Sequence, residues 1–398
     1  MRVLLSTIGS RGDVEPLVAL ALRIREGGGE ALVCVPPDFR EWIAGLGIPV
    51  TTVGPSVRPS AKPARPANVS PLARRRMIEG TVAAQFERIP EAAAGCDLLV
   101  GCGAMQIAAP SVAEMLGIGY VHVHYCPISL PSPHHAPPPL AWDADRTAGF
   151  AQQWADDARR WNQHWGPALN EQRKAAGLAA VDDVRSHVFT DRPWLAADPL
   201  LGPWPGPDDP AVTQTGAWIR PGDATLPPEV ETFLQGGEPP IYFGLGSTPT
   251  AGPGTGDAML AAARTAGRRA IVAQGWAGLP IRAAGPDCLV VGEVDHRALF
   301  PRVAAAVHHG GAGTTTAAAR AGVPQLVIPQ RYDQDYWAGR VTALDIGAAH
   351  PAGRPLTKES LTAALQVALG SGAAAEALSP QIRTDGAAVA AERLLAVA

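Results

Sequence analysis

The chain has 398 residues, enough for two domains of ordinary size, and 46% hydrophobic against 18% charged residues is typical of a globular protein. The formal net charge is −4, which argues against a nucleic-acid-binding protein because such proteins present a basic surface to phosphate. No apolar run is long enough for a secretory signal or a membrane span, so we expect a cytoplasmic protein. The five widely spaced cysteines predict buried free thiols: Cys34, Cys96, Cys102, Cys126 and Cys288.

Short apolar strands alternate with amphipathic helices from the first residue. Arg2 to Thr7 predict a buried parallel strand, residues 14–26 a helix with apolar positions three and four apart, and Glu30 to Val35 the next strand. Two more strands are expected at 97–100 and 120–125, with a helix between them. This order predicts βαβ units and a parallel sheet.

A stretch rich in proline and glycine, residues 198–222, predicts a linker. Beyond it the alternation resumes, with strands at 241–244, 270–274, 289–291, 305–308 and 325–328 and a helix at 257–266. We therefore expect a first domain over 1–197, a second over 223–381, and a last helix within 382–398 that crosses back to the first domain. Ligands of such sheets bind at the carboxyl ends of the strands, so two such edges are expected to face one cleft.

Two stretches do not show this alternation. Residues 55–79, which include Arg74-Arg75-Arg76, predict a surface loop. Residues 127–142 carry six prolines around His134-His135 and are expected to be irregular. Loops of this length inside a domain are either functional or disordered, and composition does not choose between the two.

The most informative motif is a run of glycines at a strand-to-helix junction, residues 308–316. Glycines there let a phosphate approach the backbone, and the first helical turn offers unpaired N–H groups. We expect His309, Gly311, Gly313 and Thr314 to form this cradle, with Thr315 as a further hydroxyl and Ser247 beside it from a second glycine turn; the alternative is a tight turn alone. The sequence contains neither a Walker A loop nor a clean dinucleotide-binding fingerprint, which disfavours a nicotinamide enzyme.

Several stretches in both halves and in the linker resemble one family, the GT-B glycosyltransferases that decorate glycopeptide and polyketide antibiotics, the vancomycin group in particular. The matching segments are Gly-Ser-Arg-Gly-Asp at 9–13, Ser-Pro-His-His-Ala-Pro-Pro-Pro at 132–139, Ala-Ala-Asp-Pro at 196–199, Gln-Thr-Gly-Ala-Trp-Ile at 214–219, Gly-Trp-Ala at 275–277, Val-Gly-Glu-Val at 291–294, His-His-Gly-Gly-Ala-Gly-Thr-Thr at 308–315 and Pro-Gln-Arg-Tyr-Asp-Gln at 329–334. The resemblance implies an α/β protein of GT-B fold, in which two doubly wound Rossmann-like domains face a central cleft.

What the resemblance implies for the donor can be assigned to single residues. His309 and the following glycines would bind the diphosphate of a nucleotide sugar, and Trp276 would lie near the nucleobase, whose edge the Val294 main chain would read. Asp333 and Gln334 would hold two hydroxyls of a hexose, which favours UDP-glucose over a dTDP-deoxysugar. No cofactor beyond this co-substrate is expected.

Asp13 is the candidate catalytic base of the resemblance, and Ser10 and Gly12 in the same turn would position acceptor or phosphate. A carboxylate there could take the proton of an acceptor hydroxyl as it attacks the sugar. The alternative for Asp13 is capping of the following helix. The expected reaction is an inverting, in-line transfer of a hexose to a hydrophobic or aromatic natural product.

A divalent metal is not expected. Asp333-Gln334-Asp335 and Asp143-Ala144-Asp145 both spell DxD, a metal motif of another glycosyltransferase fold, but the motif is common by chance. A helix N-terminus with His309 can stabilise a leaving diphosphate without metal.

Other polar and aromatic residues leave alternatives open. Five histidines are alternative candidates for the catalytic base: His122, His124, His134, His135 and His308. Each of them could equally be a hydrogen-bonded structural histidine. Trp154, Trp161 and Trp165 have helical spacing and, with Trp142, form either a packed face or a wall for an aromatic acceptor. A nucleotide-sugar epimerase and a non-catalytic sugar-nucleotide-binding protein are the alternative functions, and we expect a monomer.

Overall fold

Two parallel sheets, one in each half of the chain, organise the protein in the computed structural model. The structure describes residues 1–58, 70–139, 147–206, 211–247, 252, 254–276, 278–351 and 353–396. All five cysteines are free thiols, and four of them are buried, whereas Cys288 is half-buried.

The first sheet has seven strands in the order β3-β2-β1-β4-β5-β6-β7, all parallel. Its strands are β1 (Arg2–Thr7), β2 (Glu30–Val35), β3 (Val50–Thr52), β4 (Leu98–Cys102), β5 (Gly119–His124), β6 (Trp194–Leu195) and β7 (Thr213–Gln214). Its helices are α1 (Arg11–Glu26), α2 (Arg40–Gly45), α3 (Pro71–Ala92), α4 (Ala109–Leu116), α5 (Phe150–Ala175) and α6 (Val184–Phe189).

The second sheet has six parallel strands in the order β10-β9-β8-β11-β12-β13. Its strands are β8 (Ile241–Gly244), β9 (Ala270–Ala273), β10 (Cys288–Val291), β11 (Ala305–His308), β12 (Gln325–Val327) and β13 (Gly347–Ala349). The helices of this half are α7 (Pro228–Gln235), α8 (Thr255–Thr265), α9 (His296–Leu299), α10 (Ala312–Arg320), α11 (Gln334–Ala343), α12 (Lys358–Gly370), α13 (Gly372–Leu378) and α14 (Gly386–Leu395).

The strands predicted from apolar runs are confirmed within two residues at each end. Such runs are reliable here because helices cover both faces of each sheet, so successive side chains on either face are apolar. In β1, for example, Val3, Leu4 and Leu5 are all fully buried although they point to alternate faces.

The prediction of a surface loop over 55–79 is wrong for its second part. Helix α3 begins at Pro71, after Ser70 caps it by accepting a hydrogen bond from the Ala73 N–H at 3.2 Å. Its first two turns are exposed and basic, which is why the composition resembles a loop, and only the later turns bury residues such as Val82 and Ile89. Residues 59–69 lie outside the described part of the chain.

The proline-rich stretch between the halves contributes to the first sheet. Thr213–Gln214 (β7) pair with β6 as an edge strand. Asp198, where the stretch begins, accepts hydrogen bonds from the N–H groups of Leu200 at 2.8 Å and Arg383 at 2.9 Å. The connection is therefore held at one end to the C-terminal part of the chain, and the predicted domain boundaries stay a prediction.

The last helix, α14, packs on α1 of the first half. Ala387, Ala390, Ala391 and Leu394 belong to the same apolar core as Leu17 on α1. Among the described residues no single helix is long and apolar enough to cross a membrane; one bent pair, Lys358–Gly370 with Gly372–Leu395, meets that test by length and composition.

Gly386 lets α14 start directly against the connecting stretch. A Cβ at this position would overlap the backbone of Gly216 and would lie 2.5 Å from the carbonyl oxygen of Ala217. Because these are backbone atoms on both sides, neither can move without separating the helix from the stretch it crosses.

We expect Gly386→Ala to lower the free energy of unfolding by about 1–3 kcal/mol, since the added methyl overpacks a backbone crossing. Gly80→Ala is the matched control, because Gly80 lies inside α3 and a Cβ there has no neighbour within 4 Å. The control should stabilise by roughly 0.5–1 kcal/mol through helix propensity. Thermal unfolding of both variants measures this, and equal melting temperatures for the two would show the close crossing to be unimportant.

Candidate functional site

The carboxyl ends of both sheets open onto one cleft of about 1660 Å³. It is lined by residues of both halves and of the connecting stretch, as is usual for parallel sheets whose loops gather at one edge. Every site residue predicted from the sequence lies on its walls: Ser10, Gly12, Asp13, Ser247, Trp276, Val294, His309, Gly311, Gly313, Thr314, Asp333 and Gln334.

Asp13 stands in the first turn of α1, on the wall formed by the first half. Its Oδ2 accepts hydrogen bonds from the Ser10 N–H at 2.7 Å and from the Ser10 hydroxyl at 3.2 Å. The capping role considered for Asp13 is therefore present in the structure. Burial raises the pKa of the Asp13 carboxyl, and the Ser10 hydrogen bonds only partly offset that effect.

Two aromatic residues that the sequence analysis did not single out complete this wall. The Tyr125 hydroxyl donates to the Asp13 carbonyl oxygen at 3.0 Å, and its ring lies 6.3 Å from that of Trp218. Trp218 comes from the connecting stretch, inside one of the segments that carry the family resemblance. No local sequence pattern marks Tyr125 as a site residue, because its position depends on how the end of β5 lies beside α1.

The predicted phosphate cradle forms the opposite wall. Helix α10 begins at Ala312, and His309, Gly310 and Gly311 connect it to the end of β11. Its N-terminus opens into the cleft. Thr314 lines the cleft, but the Thr315 hydroxyl is buried and donates to the Gly311 carbonyl at 3.0 Å. The expectation that Thr315 offers its hydroxyl to a ligand is therefore wrong.

The His309 ring is packed between two glycines. A Cβ at Gly246 would lie 2.8 Å from Cε1 of His309, and one at Gly311 would lie 2.7 Å from Nε2. Burial lowers the pKa of His309 to about 4, an effect that the neighbouring His296 increases and the Gly244 carbonyl opposes. At neutral pH His309 is therefore a neutral imidazole, which can still donate one hydrogen bond.

His308, one of the alternative bases, stabilises the glycine turn of the cradle. Its Nδ1 accepts a hydrogen bond from the Gly310 N–H at 3.1 Å, and its Nε2 is 2.8 Å from Oε1 of Gln325. The ring is fully buried and both nitrogens are used, so His308 acts as a structural histidine that fixes the glycine turn.

Asp333 and Gln334 follow β12 at the start of α11. Tyr332 has φ +60°, an uncommon conformation for a non-glycine residue, and it turns the chain so that Asp333 faces the cleft. Asp333 Oδ2 accepts from the Trp337 indole N–H at 3.0 Å, while Gln334 Oε1 accepts from the N–H groups of Gln330 and Arg331. The Gln334 carbonyl is thus committed to the turn, and its NH₂ group is the part left to bind a ligand.

The charge of the Asp13 carboxyl acts on Asp333 across the cleft. Burial raises the pKa of Asp333 to about 6, the Trp337 hydrogen bond opposes this rise, and the charge of Asp13 adds to it. The two halves therefore bring together two carboxyls that stand 320 positions apart in the sequence.

His122 and His124 lie on the same face of β5, as the alternation predicted. Their Nε2 atoms are 3.0 Å apart, and the Tyr120 hydroxyl is 2.9 Å from Nδ1 of His122. Burial lowers the pKa of His124 to about 3 and that of His122 well below its usual value, so both rings are neutral. His122 is a structural histidine, whereas His124 borders the cleft.

Trp276 is half-buried and packs against the first half of the chain. Its indole N–H donates to Glu293 Oε1 at 3.0 Å, and its ring lies 5.8 Å from that of Phe39. Glu293 also pairs with Arg11 and Arg58 of the first half. The sequence analysis quoted Glu293 only as part of a matching segment and assigned it no role.

The sequence analysis also named four tryptophans and two DxD motifs, and the structure describes some of these residues. Trp161 and Trp165 pack against an apolar cluster that includes residues of α3 and α6. Trp154 is buried, and its indole N–H donates to the His135 carbonyl at 2.8 Å. None of the three lines the cleft among the described residues. Asp333 faces the cleft but Asp335 borders a second pocket of about 470 Å³, so the two carboxyls of this DxD do not converge. Trp142 and Asp143-Ala144-Asp145 fall outside the described part of the chain.

Asp333→Asn is expected to raise stability at neutral pH. The folded-state pKa of about 6 exceeds the usual 3.8, so the carboxyl destabilises the folded state progressively as pH rises between these values. Removing it should stabilise by roughly 1–3 kcal/mol near pH 7.5 and by little near pH 4. Thermal unfolding at both pH values measures the difference.

The control is Asp287→Asn, because the Arg264 hydrogen bond lowers the pKa of Asp287 and the expected sign is opposite. This variant should lose stability near neutral pH. A melting temperature for Asp333→Asn that falls below wild type near pH 7.5 would contradict the burial of an unfavourable charge at this position.

Proteins of known activity match the chain over nearly its whole length. It is 47% identical over 400 residues to vancomycin aglycone glucosyltransferase of Amycolatopsis orientalis, covering 99% of this chain and 97% of the relative. It is 43% identical to dTDP-epi-vancosaminyltransferase of the same organism, over 93% of this chain and 90% of the relative. Residues 268–392 match the family described as erythromycin biosynthesis protein CIII-like, C-terminal domain.

Solved structures share the fold at lower sequence identity. The glycotransferase of kitacinnamycin superposes with a TM-score of 0.72 at 16% identity, covering 99% of this chain and 98% of that one. The glycosyltransferase VinC in complex with dTDP gives 0.67 at 19% identity, covering 100% and 99%. These likenesses confirm the α/β GT-B architecture, and the full-length identity to the Amycolatopsis enzymes shows that this chain is a glycosyltransferase belonging to the family of the vancomycin-group antibiotic glycosyltransferases.

Proposed function

We propose that this protein transfers a hexose from a nucleotide sugar to a hydroxyl of an antibiotic aglycone, with inversion at the anomeric carbon and without a metal ion. The observation that carries the proposal is the placement of Asp13 on one wall of the cleft, opposite the α10 cradle and Asp333 on the other. An acceptor beside Asp13 and a sugar beside Asp333 would meet between the two walls. A single in-line displacement needs this arrangement, because nucleophile and leaving group must lie on opposite sides of the reacting carbon.

Asp13 is the proposed base. Both Ser10 donors bind Oδ2, so the carboxylate is held in one orientation while Oδ1 is left to take the acceptor proton. The acceptor oxygen forms a bond to the anomeric carbon, its proton passes to Asp13, and the bond from that carbon to the diphosphate oxygen breaks. A carboxylate whose pKa is raised by burial accepts a proton more readily than an exposed one, which suits general-base catalysis.

The leaving diphosphate would be stabilised by α10 and His309. The helix N-terminus presents unpaired N–H groups and the positive end of its dipole, and the neutral His309 ring adds one hydrogen-bond donor. Gly311, Gly313, Thr314 and Ser247 surround the same part of the cleft. Groups fixed before the reaction stabilise developing charge efficiently because they do not reorganise during the step.

Asp333 and the Gln334 NH₂ group are the proposed contacts of the donor sugar, with Trp276 and the Val294 main chain at the nucleobase. The Asp333 carboxylate accepts hydrogen bonds and the Gln334 NH₂ group donates them, so the pair suits a hexose with free hydroxyls. This favours UDP-glucose. The relatives carry both possibilities, since one is named a glucosyltransferase and another a dTDP-sugar transferase. The preference for glucose over a deoxysugar therefore depends on the Asp333 and Gln334 contacts.

The acceptor would lie along Tyr125 and Trp218, beside Asp13. Aromatic walls of this kind suit an apolar or aromatic aglycone, and one relative is named for its action on the vancomycin aglycone. A cleft that continues past Asp13 also favours transfer over epimerisation, which would need no acceptor site. Cytoplasmic location and a monomeric state stay predictions from the sequence.

Asp13→Asn is expected to reduce transfer by about 10²- to 10⁴-fold, the range for loss of a general base, while nucleotide affinity stays within about twofold. Asparagine can still accept the Ser10 N–H hydrogen bond, so the α1 cap should survive. Asp97→Asn is the matched control, because Asp97 accepts from the Arg2 N–H at the opposite edge of the same sheet. Transfer by Asp13→Asn at the control's rate would exclude Asp13 as the base.

Calorimetric titration with UDP, UDP-glucose and dTDP, each with and without EDTA, tests the donor site. Binding of UDP and UDP-glucose should be unchanged by EDTA, since α10 and His309 supply the diphosphate contacts, and UDP-glucose should bind more tightly than UDP because Asp333 and Gln334 add contacts to the sugar. His309→Ala should weaken all three. Binding that disappears in EDTA would contradict metal independence, and binding of dTDP alone would contradict UDP-glucose as the donor.

A further inference from the structure

A row of alternating charges along one wall of the cleft joins the two halves of the protein. We call it the charge ladder, and its members in spatial order are Arg58, Glu293, Arg11, Glu15, Arg220, Asp295 and Arg297. Every neighbouring pair in this order is of opposite sign. The row passes from the first half to the second, back to the first, and then through the connecting stretch to the second again.

Glu293, which follows β10 in the second half, binds three donors. Its Oε2 is 2.7 Å from Nη1 of Arg11, and its Oε1 is 3.1 Å from Nη2 of Arg58 and 3.0 Å from Nε1 of Trp276. One carboxylate therefore ties two cations of the first half to the indole that we place at the nucleobase.

From Arg11 and Glu15 on α1, the charge ladder continues to the connecting stretch. Glu15 pairs with Arg11 at 3.0 Å and with Arg220 at 3.4 Å, and Arg220 pairs with Asp295 at 2.6 Å. Arg297 then binds Asp295 at 2.7 Å and donates to the backbone carbonyls of residues 220–222. Helix α1, the connecting stretch and the loop after β10 are thus held together by ion pairs.

Aromatic rings cover one side of Arg11 and Arg58, two cations of the charge ladder. The Arg11 guanidinium lies 4.0 Å over the Trp42 ring, and that of Arg58 lies 5.4 Å over the Trp276 ring. Shielding on one side reduces solvent screening, and a network of pairs is more effective than an isolated surface pair.

The ladder contacts α1 next to the proposed base. Arg11 and Glu15 flank Asp13 by two positions on either side, so ion pairs at both residues fix the first turns of α1 relative to the second half. Asp333 and the cradle belong to that second half. Contacts that touch neither the donor nor the acceptor therefore contribute to the position of Asp13 relative to the donor site, beside the apolar cluster that also joins the two halves.

We propose that Glu293 is a positioning residue for the transfer reaction: by binding Arg11 and Arg58 it holds the two halves in the arrangement that places Asp13 opposite the donor sugar. This rests on the function proposed above. Glu293 itself takes no part in the chemical step.

Charge reversal and its rescue test the proposal without a known acceptor. Small-angle scattering of Glu293→Arg should show a radius of gyration about 1 Å above the roughly 21 Å expected for a compact chain of this length. The double variant Arg11→Glu with Glu293→Arg restores opposite charges between these two positions but places like charges at 58 and 293 and at 11 and 15, so its radius should fall only part of the way back to wild type. An unchanged radius in Glu293→Arg, or no recovery in the double variant, would overturn the proposal.

Kinetics provide the second readout. Glu293→Gln should lower kcat about fivefold at saturating donor. UDP affinity should stay within about twofold, because the glutamine oxygen can still accept from the Trp276 indole N–H. Wild-type kcat should fall with added salt more steeply than that of the variant, which keeps only the remaining ion pairs between the halves. Glu231→Gln is the matched control, because Glu231 pairs with Arg302 at 2.6 Å within the second half, and its kcat should equal wild type.

The two proposals fail in different ways. Absence of transfer by the wild-type protein would contradict the proposed function, and the scattering result would still decide whether Glu293 joins the halves. Wild-type transfer together with an unchanged kcat and unchanged salt dependence in Glu293→Gln would contradict the positioning role alone.

Discussion

Two helix N-termini that open into the same cleft are the constraint on which the rest of this structure depends. Every strand is parallel, so the chain leaves each sheet at one edge, and α1 and α10 both start there. Because the two edges face each other, both helices direct unpaired N–H groups and a positive dipole end toward one space. In α1 the Asp13 carboxylate accepts the N–H of Ser10, the residue before the helix, whereas no side chain caps α10.

Burial at this meeting point determines the protonation of the site. The His309 imidazole loses its charge because it is enclosed between two glycine turns, and the carboxyls of Asp13 and Asp333 have raised pKa values for the same reason. The imidazole of the cradle is therefore neutral, although the charge of Arg331 acts on it. Two other cations of the cleft, Arg11 and Arg220, are paired with carboxylates that join the halves.

The outcome of the sequence analysis differed between kinds of element. Buried strands were predicted closely, because a strand covered on both faces needs apolar residues at every position. The start of helix α3, up to residue 79, was predicted as loop, since its first turns are solvated and basic and only its later turns reach the core. The sequence analysis set aside the DxD at 333–335 as a chance match, and in the structure one of its carboxyls faces the cleft and the other a separate pocket.

The sequence by itself determined the alternation of strands and helices, the glycine cradle before α10, and the segments that carry the family resemblance, since each of these depends on residues close together in the chain. Only the tertiary structure decided which side chains meet across the cleft. Arg11 and Glu293 are 282 positions apart, and Asp13 and Asp333 belong to different sheets. Their contacts follow from the relative orientation of two separately folded sheets, which local periodicity does not encode, so Glu293, Trp218 and Tyr125 acquired their places in the site only when the halves were brought together.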